Sequence, residues 1–172
     1  MMTRSIVIIG FVCCNAGIEA TTQFTDAEIA AAVIFMSRQN ECGFVQLKAT
    51  DIRQCPTYSV TISGDGIVTY EGQLGVRTLG RRTHKVSIAE FRMLLDAFLN
   101  ADFFSLPDRY FGSDDAIATT LRLSVGGKTK SVSDMQSAPE IIKRLQERVD
   151  IVTNSRRYTG RPPSPQMEPP HR

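Results

Sequence analysis

The thiols of Cys42 and Cys55 are the residues best placed by type to do chemistry, and 13 positions separate them along a polar stretch. Paired thiols can form a disulfide, bind a metal or exchange electrons. A redox site usually has a Cys-x-x-Cys spacing, which is far shorter than this one. A zinc site needs four ligands, and the chain has only two histidines, His84 and His171. The pattern therefore favours a structural disulfide, and we predict no metal site and no cofactor.

The first twenty residues bear on whether that disulfide can form. They have a basic residue near the start, an apolar run from Ile6 to Cys14 and small residues after it, which is the pattern of a secretory signal peptide. The run is too short to cross a bilayer, which takes about 20 residues, so no stable transmembrane anchor is expected. We predict a signal peptide over residues 1–20, cleaved after Ala16 or Ala20, and a periplasmic or secreted protein.

Two alternatives stay open for this leader. Lipidation at Cys13 or Cys14 would make a lipoprotein, although the residues before both cysteines are bulkier than lipidation signals favour. The segment could also be an apolar first strand of a cytoplasmic protein. If the leader is removed, Cys42 and Cys55 are the cysteines that remain, and two thiols in an oxidising compartment usually pair. Closing that loop would stabilise the domain by about 3 kcal/mol.

The charge balance gives no indication of a partner that binds through the net charge of the chain. The chain has 20 Lys and Arg against 18 Asp and Glu, a net charge of +2. Removal of the leader removes one basic and one acidic residue, so the net charge stays the same. A dedicated nucleic-acid binder usually has a large positive excess, so no nucleic-acid partner is predicted. The length of 172 residues and the 42% hydrophobic content suit one domain with one core.

A basic strand is the first candidate binding segment. Residues 76–86 are predicted to form a strand, and its basic side chains are Arg77, Arg81, Arg82, His84 and Lys85. Such a cluster could receive an anionic ligand or the carboxylates of an envelope protein. The same pattern is also typical of an exposed edge strand that charge protects from aggregation.

The loop over residues 103–115 is the second candidate, and Asp108, Arg109 and Tyr110 are its predicted binding residues. Asp108, Asp114 or Asp115 could also act as acid and base in a small hydrolase, which requires two carboxyl groups in different environments. The loop could equally be a core plug of Phe and Leu flanked by local hydrogen bonds. Because the chain lacks a Gly-x-Ser-x-Gly elbow, a His-Glu-x-x-His motif and a dinucleotide fingerprint, no catalytic residue is assigned.

Alternating apolar residues predict the sheet that positions these segments. Residues 31–38 favour a strand over a short helix, and a Gly64–Gly66 turn joins strands over 58–62 and 67–72. A second hairpin turns at Gly126 and Gly127, between strands over 121–125 and 128–132.

Two helices complete the predicted domain. One covers residues 87–101 and starts with a capping box of Ser87 and Glu90, and another starts at Ser137 with a second box closed by Glu140. We predict an α+β fold, an antiparallel sheet of five or six strands with two helices on one face. The domain is expected over residues 31–152, after a linker at 21–30 and before a Pro-rich disordered tail at 153–172.

Several of these segments, taken in order, resemble a bacterial family known as domain of unknown function 6438. The resemblance covers about residues 32–152 and rests on the following pieces: Cys55-Pro56-Thr57-Tyr58, the Gly64-Asp65-Gly66 turn, Val68-Thr69-Tyr70-Glu71-Gly72, Phe103-Phe104-Ser105-Leu106, Asp108-Arg109-Tyr110 and Gly127-Lys128-Thr129-Lys130. It implies export, a first strand ending near an Arg and a Cys, and no established activity. The family's two cysteines lie a few residues apart beside a glycine. In this chain the first part of that pattern is present as Arg38, Cys42 and Gly43. An insertion of about ten residues then separates it from the second cysteine, Cys55.

The resulting prediction is an uncharacterised exported protein that acts as a non-enzymatic binding or interaction module of the cell envelope. The basic strand over 76–86 and the 103–115 loop are its expected contact regions. The alternatives are a small carboxylate-dependent hydrolase and an inhibitor of another secreted enzyme.

Overall fold

The fold is described from a computed structural model, which covers residues 24–40, 56–112 and 117–160. The predicted signal peptide, the predicted disulfide between Cys42 and Cys55, and Asp114 and Asp115 lie outside the described residues. So do residues 161–172 of the predicted tail.

One seven-stranded sheet organises the domain, in the order β4-β3-β2-β1-β6-β7-β5. All neighbouring strands are antiparallel except β5 and β7, which are parallel. The strands are β1 Val33–Asn40, β2 Thr57–Ser63, β3 Ile67–Leu74, β4 Gly80–Lys85, β5 Arg109–Tyr110, β6 Ile117–Val125 and β7 Lys128–Asp134.

Two long helices contribute buried apolar side chains to the core. The α-helices are α1 Asp26–Ala30, α2 Ile88–Asn100, α3 Glu140–Val152 and α4 Arg156–Thr159, and a 3-10 helix spans Phe103–Ser105. The apolar stripes of α2 and α3 bury Phe91, Leu94, Leu95 and Phe98 from the first and Ile142, Leu145 and Val149 from the second. Because buried Phe and Leu side chains each contribute about 1.5–3 kcal/mol, this layer provides much of the drive to fold.

The two faces of the sheet differ in chemistry. The inner face, which packs into the core, is lined by side chains such as Ile34, Met36, Val60 and Leu121, which have no solvent exposure. The outer face carries the alternate residues, and many of them are Ser or Thr. The alternation in β2, Thr-Tyr-Ser-Val-Thr-Ile-Ser with every second residue buried, shows how the period of two separates the faces.

The predicted α+β class is confirmed, but the predicted strand count of five or six was too low. The additional strand is β5, which is only two residues long and pairs with the end of β7. A two-residue strand is too short to show a period of two in the sequence. The number of helices also differs, since α1 and α4 join the two that were predicted.

The packed part of the chain extends past both predicted limits. α1 lies within the predicted linker at 21–30 and buries Ile29. The chain after Thr153 is also packed as far as residue 160, with Ser155 fully buried and Tyr158 in the core. The predicted tail therefore starts too early, because Tyr158 anchors a polar segment whose composition alone gave no sign of burial.

Both predicted hairpins are present in the expected register. Val60 pairs with Tyr70 and Ile62 with Val68, and all four side chains are buried. At the second hairpin Gly126 and Gly127 have φ of 57° and 73°, the left-handed values that a tight two-residue turn needs.

One predicted helix cap is confirmed and the other was wrong. Ser87 and Glu90 form the capping box of α2. α3 begins at Glu140 with Pro139 at its N-cap and no side-chain cap bond. Ser137 does not cap the helix because α3 begins at Glu140, two residues later than a cap at Ser137 requires, and the Ala138 amide donates to Asp134 at 2.9 Å.

Candidate functional site

A polar row crosses the inner face at one end of the sheet, where the neighbouring rows are apolar. Cα pairing places five side chains side by side across five strands: Tyr58, Arg38, Thr119, Asp134 and Tyr110. The next row inward is Val60, Met36, Leu121 and Val132. Polar residues on the buried side of a sheet need partners to offset their lost hydration, so this polar row is the place to search for function.

Asp150 of α3 neutralises the cation in the polar row. Its carboxylate is 5% exposed and accepts from the Arg38 guanidinium at 3.0 Å and from the Tyr58 hydroxyl at 3.2 Å. The Ser155 hydroxyl donates to the same carboxylate. Burial, and secondly the negative charge of Asp150, raise the pKa of Tyr58 well above its ordinary value of 10, so Tyr58 stays a hydrogen-bond donor.

Three tyrosine rings extend this buried network toward β4. The Tyr58 and Tyr70 ring centroids lie 5.8 Å apart, and Tyr158 stacks on Tyr70 at 4.7 Å. Burial, with a smaller effect of Tyr158, raises the pKa of Tyr70 to about 12. The His84 ring reaches Tyr158 at 6.2 Å on the far side. The segment after α3 is thus tied back to α3 by Ser155 and packed on the sheet by Tyr158.

Neither ring nitrogen of His84 has a hydrogen-bond partner of good geometry in the described part of the chain, and both nitrogens are buried. Burial, and then the nearby Arg157 charge, lower the pKa of the imidazole, against a weaker opposing effect of the Thr153 backbone. His84 is therefore a neutral packing residue at the edge of the tyrosine stack.

A polar cleft of about 380 Å³ opens beside the polar row. It is lined by Arg38, Pro56, Thr119, Asp134, Gln136, Lys143 and Gln146. Asp134 accepts from the Ala138 amide at 2.9 Å and from the Gln146 side chain at 3.0 Å. Gln136 has a φ of 66°, a strained value for a residue with a side chain.

A larger edge cleft, of about 620 Å³, lies at the β7 side of the sheet. It is lined by Asp108, Arg109, Phe111, Thr120, Thr129, Lys130, Ser131 and Ser133. Lys130 forms an ion pair with Asp108, and the Arg109 guanidinium lies 5.7 Å from the centre of the Phe111 ring. Phe111 is 73% exposed, so its ring offers an apolar surface at the edge cleft.

The edge cleft exposes the outer backbone edge of β7. Ser133 and Met135 donate their amides outward, to the Asp108 carbonyl at 2.8 Å and the Tyr110 carbonyl at 3.0 Å. Backbone groups of an antiparallel strand face outward at every second residue, so those of Thr129 and Ser131 point the same way. Within the described residues, β5 is the strand that pairs with this edge, and it covers only Ser133 and Asp134.

The predicted basic residues do not form one cluster. β4 is an edge strand, at the opposite end of the sheet from β5, and its side chains are exposed except for His84, which is half-buried. Arg81 and Lys85 lie on the outer face, and Arg82 and His84 on the inner side. Arg81 faces Glu71 at 3.7 Å, and Arg82 donates to the Arg81 carbonyl at 2.7 Å.

Arg77 lies in the turn before β4 rather than in the strand. Its guanidinium is close to Gly160, where an added Cβ would come within 2.9 Å of it. Arg77 thus packs beside the end of the described chain and is separated from the outward-facing cations of β4.

The predicted loop residues are partly brought together. Asp108 and Arg109 both line the edge cleft. Tyr110 belongs to the polar row on the inner face and is half-buried against the core. Asp108 is the one carboxylate that lines the edge cleft in the described ranges, whereas the hydrolase hypothesis needs a second one.

The sequence analysis missed Arg38 and Asp150, although a signal for both was present. Arg38 follows Ile34 and Met36 at a spacing of two, so it lies on the buried face of a strand. Asp150 follows Ile142 and Gln146 at a spacing of four, on the buried stripe of α3. Two opposite charges at buried positions predict an ion pair. Lys143 and Gln146 of the polar cleft and Phe111 and Lys130 of the edge cleft were also missed.

Residues 24–40, 56–112 and 117–160 contain neither a metal-ligand cluster nor a membrane-spanning helix. No group of three or more His, Cys, Asp and Glu side chains there is arranged to hold a metal ion. None of the helices described is long and apolar enough to cross a membrane.

The architecture and the polar row define the class as a small α+β domain built on one mostly antiparallel sheet. A family model described as Domain of unknown function (DUF6438) matches residues 53–153, more than half of the chain. The chain belongs to this family. No curated protein matches this chain. The matched range starts after β1, although β1 lies between β2 and β6 in the centre of the sheet.

Proposed function

We propose that this chain is an exported, non-enzymatic binding module of the cell envelope. We further propose that it binds an extended acidic segment of a partner protein along the outer edge of β7. The observation that carries the proposal is that the outward backbone groups of Thr129 and Ser131 face the edge cleft and pair with no other strand within residues 24–40, 56–112 and 117–160. A strand edge of this kind is a template for strand addition, in which backbone hydrogen bonds provide affinity.

The parallel pairing of β5 supports this mode of binding. β5 uses the outward amides of Ser133 and Met135, so the β7 edge already pairs with an extended segment at one end. An incoming segment would continue the same line past Ser131. The β7 edge also lies in a cleft that can take side chains.

The charges around the edge cleft favour an acidic segment. Arg109 and Lys130 line the cleft and Arg122 reaches its wall, where its Nε donates to the Ser131 hydroxyl at 2.9 Å. Asp108 opposes them, which leaves a local excess of two positive charges. The exposed Phe111 ring beside Arg109 offers an apolar contact of the type enriched in binding sites.

The export part of the proposal rests on the leader pattern over residues 1–20 and on the family resemblance. The antiparallel pairing of β1 with β2 adds support for a disulfide, because Arg38 pairs with Tyr58 and, in the sequence, Cys42 follows β1 closely and Cys55 precedes β2. Intact-mass spectrometry of the protein from its native cells should show the leader removed. A mass that retains Met1 would contradict export by this route.

Strand addition can be tested with a displayed library of random 12-residue peptides and the full chain as bait. Enriched peptides should be acidic and rich in strand-forming residues. Ser131→Pro removes one outward amide, and a proline in the edge strand interrupts the line of backbone hydrogen bonds to the added strand. We expect the loss of that bond and of its neighbours to weaken peptide binding more than about tenfold.

Thr83→Pro on β4 is the matched control. Thr83 also lies in an edge strand, and its backbone amide points away from the neighbouring strand β3. This substitution should leave peptide binding unchanged. Amide hydrogen exchange should slow at Thr129 and Ser131 when a peptide is added. If Thr83→Pro or the Arg81→Ala and Arg82→Ala double variant abolishes binding while Ser131→Pro does not, β4 is the contact surface and our assignment is wrong.

A further inference from the structure

One charged side chain of the polar cleft, Lys143, has no role in the hydrogen bonds and ion pairs described for the fold. Arg38 is satisfied electrostatically by Asp150, and Asp134 by the Ala138 amide and Gln146. Lys143 takes part in neither arrangement and has no ion-pair partner among the described residues, yet it lines the same cleft. A cation placed beside a buried ion pair without a counter-charge of its own suggests a ligand.

The exposure of the charged groups in the cleft indicates the sign of the charge on that ligand. The carboxylates of Asp134 and Asp150 are about 95% buried and already accept hydrogen bonds. The Arg38 side chain is 31% exposed, and Lys143 is exposed. A ligand entering the cleft therefore meets cationic donors first, and the negative groups lie beneath them.

The remaining donors in the cleft also fit an oxyanion. The Arg38 guanidinium binds Asp150 through one terminal nitrogen, Nη2, and has several N–H donors, so among the described contacts it keeps bonding capacity toward the cleft. Gln136 lines the cleft in a left-handed conformation, and strained residues of this kind are enriched at ligand sites. Guanidinium, ammonium and amide groups together are the usual recognition set for carboxylate or phosphate.

We propose that the polar cleft is a binding site for a small anionic molecule, held through a carboxylate or phosphate group by Arg38 and Lys143. Its volume of about 380 Å³ suits a molecule of metabolite size and is too small for an extended polymer. The site uses none of the residues that line the edge cleft, so it stands independently of the proposed strand addition.

The inference can be tested by NMR titration of the intact protein with inorganic phosphate and, separately, with acetate, at constant ionic strength set by sodium chloride. We expect saturable shifts of the Gln136 and Gln146 side-chain amides and of the Thr119 backbone amide. Saturation by either anion supports the inference and identifies the group that is recognised. Absence of saturable shifts with both contradicts it.

Lys143→Gln should weaken that binding about fivefold, as expected for the loss of one partly exposed charge. Arg144→Gln is the matched control, because Arg144 is the next residue of α3 and pairs with Glu140 at 3.4 Å. Arg38→Lys, which keeps the charge toward Asp150 but loses the planar fork, should weaken binding further. Equal weakening by Lys143→Gln and Arg144→Gln would mean diffuse charge attraction and would overturn the site.

Discussion

Replacing Asp150 by Asn removes one negative charge from the buried network with almost no change in side-chain volume. The native carboxylate accepts from Arg38, Tyr58 and Ser155. An Asn side chain keeps one acceptor oxygen but presents an amide nitrogen in place of the other. The Arg38 guanidinium then loses its counter-charge, and at least one donor faces another donor.

The size of the effect follows from the burial of the two partners. Removing one member of a buried ion pair costs about 3–5 kcal/mol, because the other charge is left in a poorly solvated place. Arg38 is 31% exposed and can recover some hydration, which places the cost at the lower end. We therefore expect Asp150→Asn to lower the free energy of unfolding by about 3 kcal/mol, a large share of the stability of a typical domain.

Urea denaturation followed by circular dichroism measures this change directly. With a slope of about 2 kcal/mol per molar urea, the midpoint should fall by about 1.5 M while the slope stays constant. Glu147→Gln is the matched control, since Glu147 is one turn earlier on α3 and its pair with Arg156, at 3.3 Å, is exposed. That control should cost under about 0.5 kcal/mol. Equal losses in the two variants, or a loss below about 1 kcal/mol for Asp150→Asn, would refute this account of the network.

Further predictions concern pH and the cysteines. The pKa of Tyr70 is about 12 in the folded protein against an ordinary value of 10. The stabilising effect of the neutral Tyr70 side chain should therefore be complete below pH 10 and disappear as pH rises toward 12. Tyr70→Phe should flatten that part of the profile of unfolding free energy against pH. The pKa of His84 is lowered, so the unfolded state takes up a proton first and stability should fall as pH drops below about 6.5; His84→Gln should reduce that loss in acid denaturation curves. Cys42→Ser and Cys55→Ser should each lower the free energy of unfolding by about 3 kcal/mol in oxidised protein and have little effect under reducing conditions; equal effects in both conditions would exclude the disulfide.

Local patterns made much of the fold predictable. The Gly126-Gly127 turn sets its own hairpin, and the Ser87 and Glu90 pair sets the start of α2, because each effect depends on residues only a few positions apart. Alternation in β2 likewise identified its buried face. These signals are read from the chain without knowledge of the other strands.

Long-range features were not accessible in the same way. No local pattern places β1 between β2 and β6, and β5 is too short to have a pattern. The packing of Tyr158 depends on a ring from β3, more than eighty residues away in the chain. The edge cleft is assembled from β5, β6 and β7 and the polar cleft from β1, β6, β7 and α3, so no local pattern brings their residues together.

The central position of β1 has a consequence for how the family's limits are used. A fragment cut at residues 53–153 would lack β1, and the sheet would be left with a gap between β2 and β6, each with one bare side. Such bare sides recruit any strand that fits, most readily the missing strand of an intact copy or a second fragment. Fragments made to those limits should therefore exchange strands and accumulate as oligomers, and residues 33–40 supplied as a separate peptide should return them to single copies.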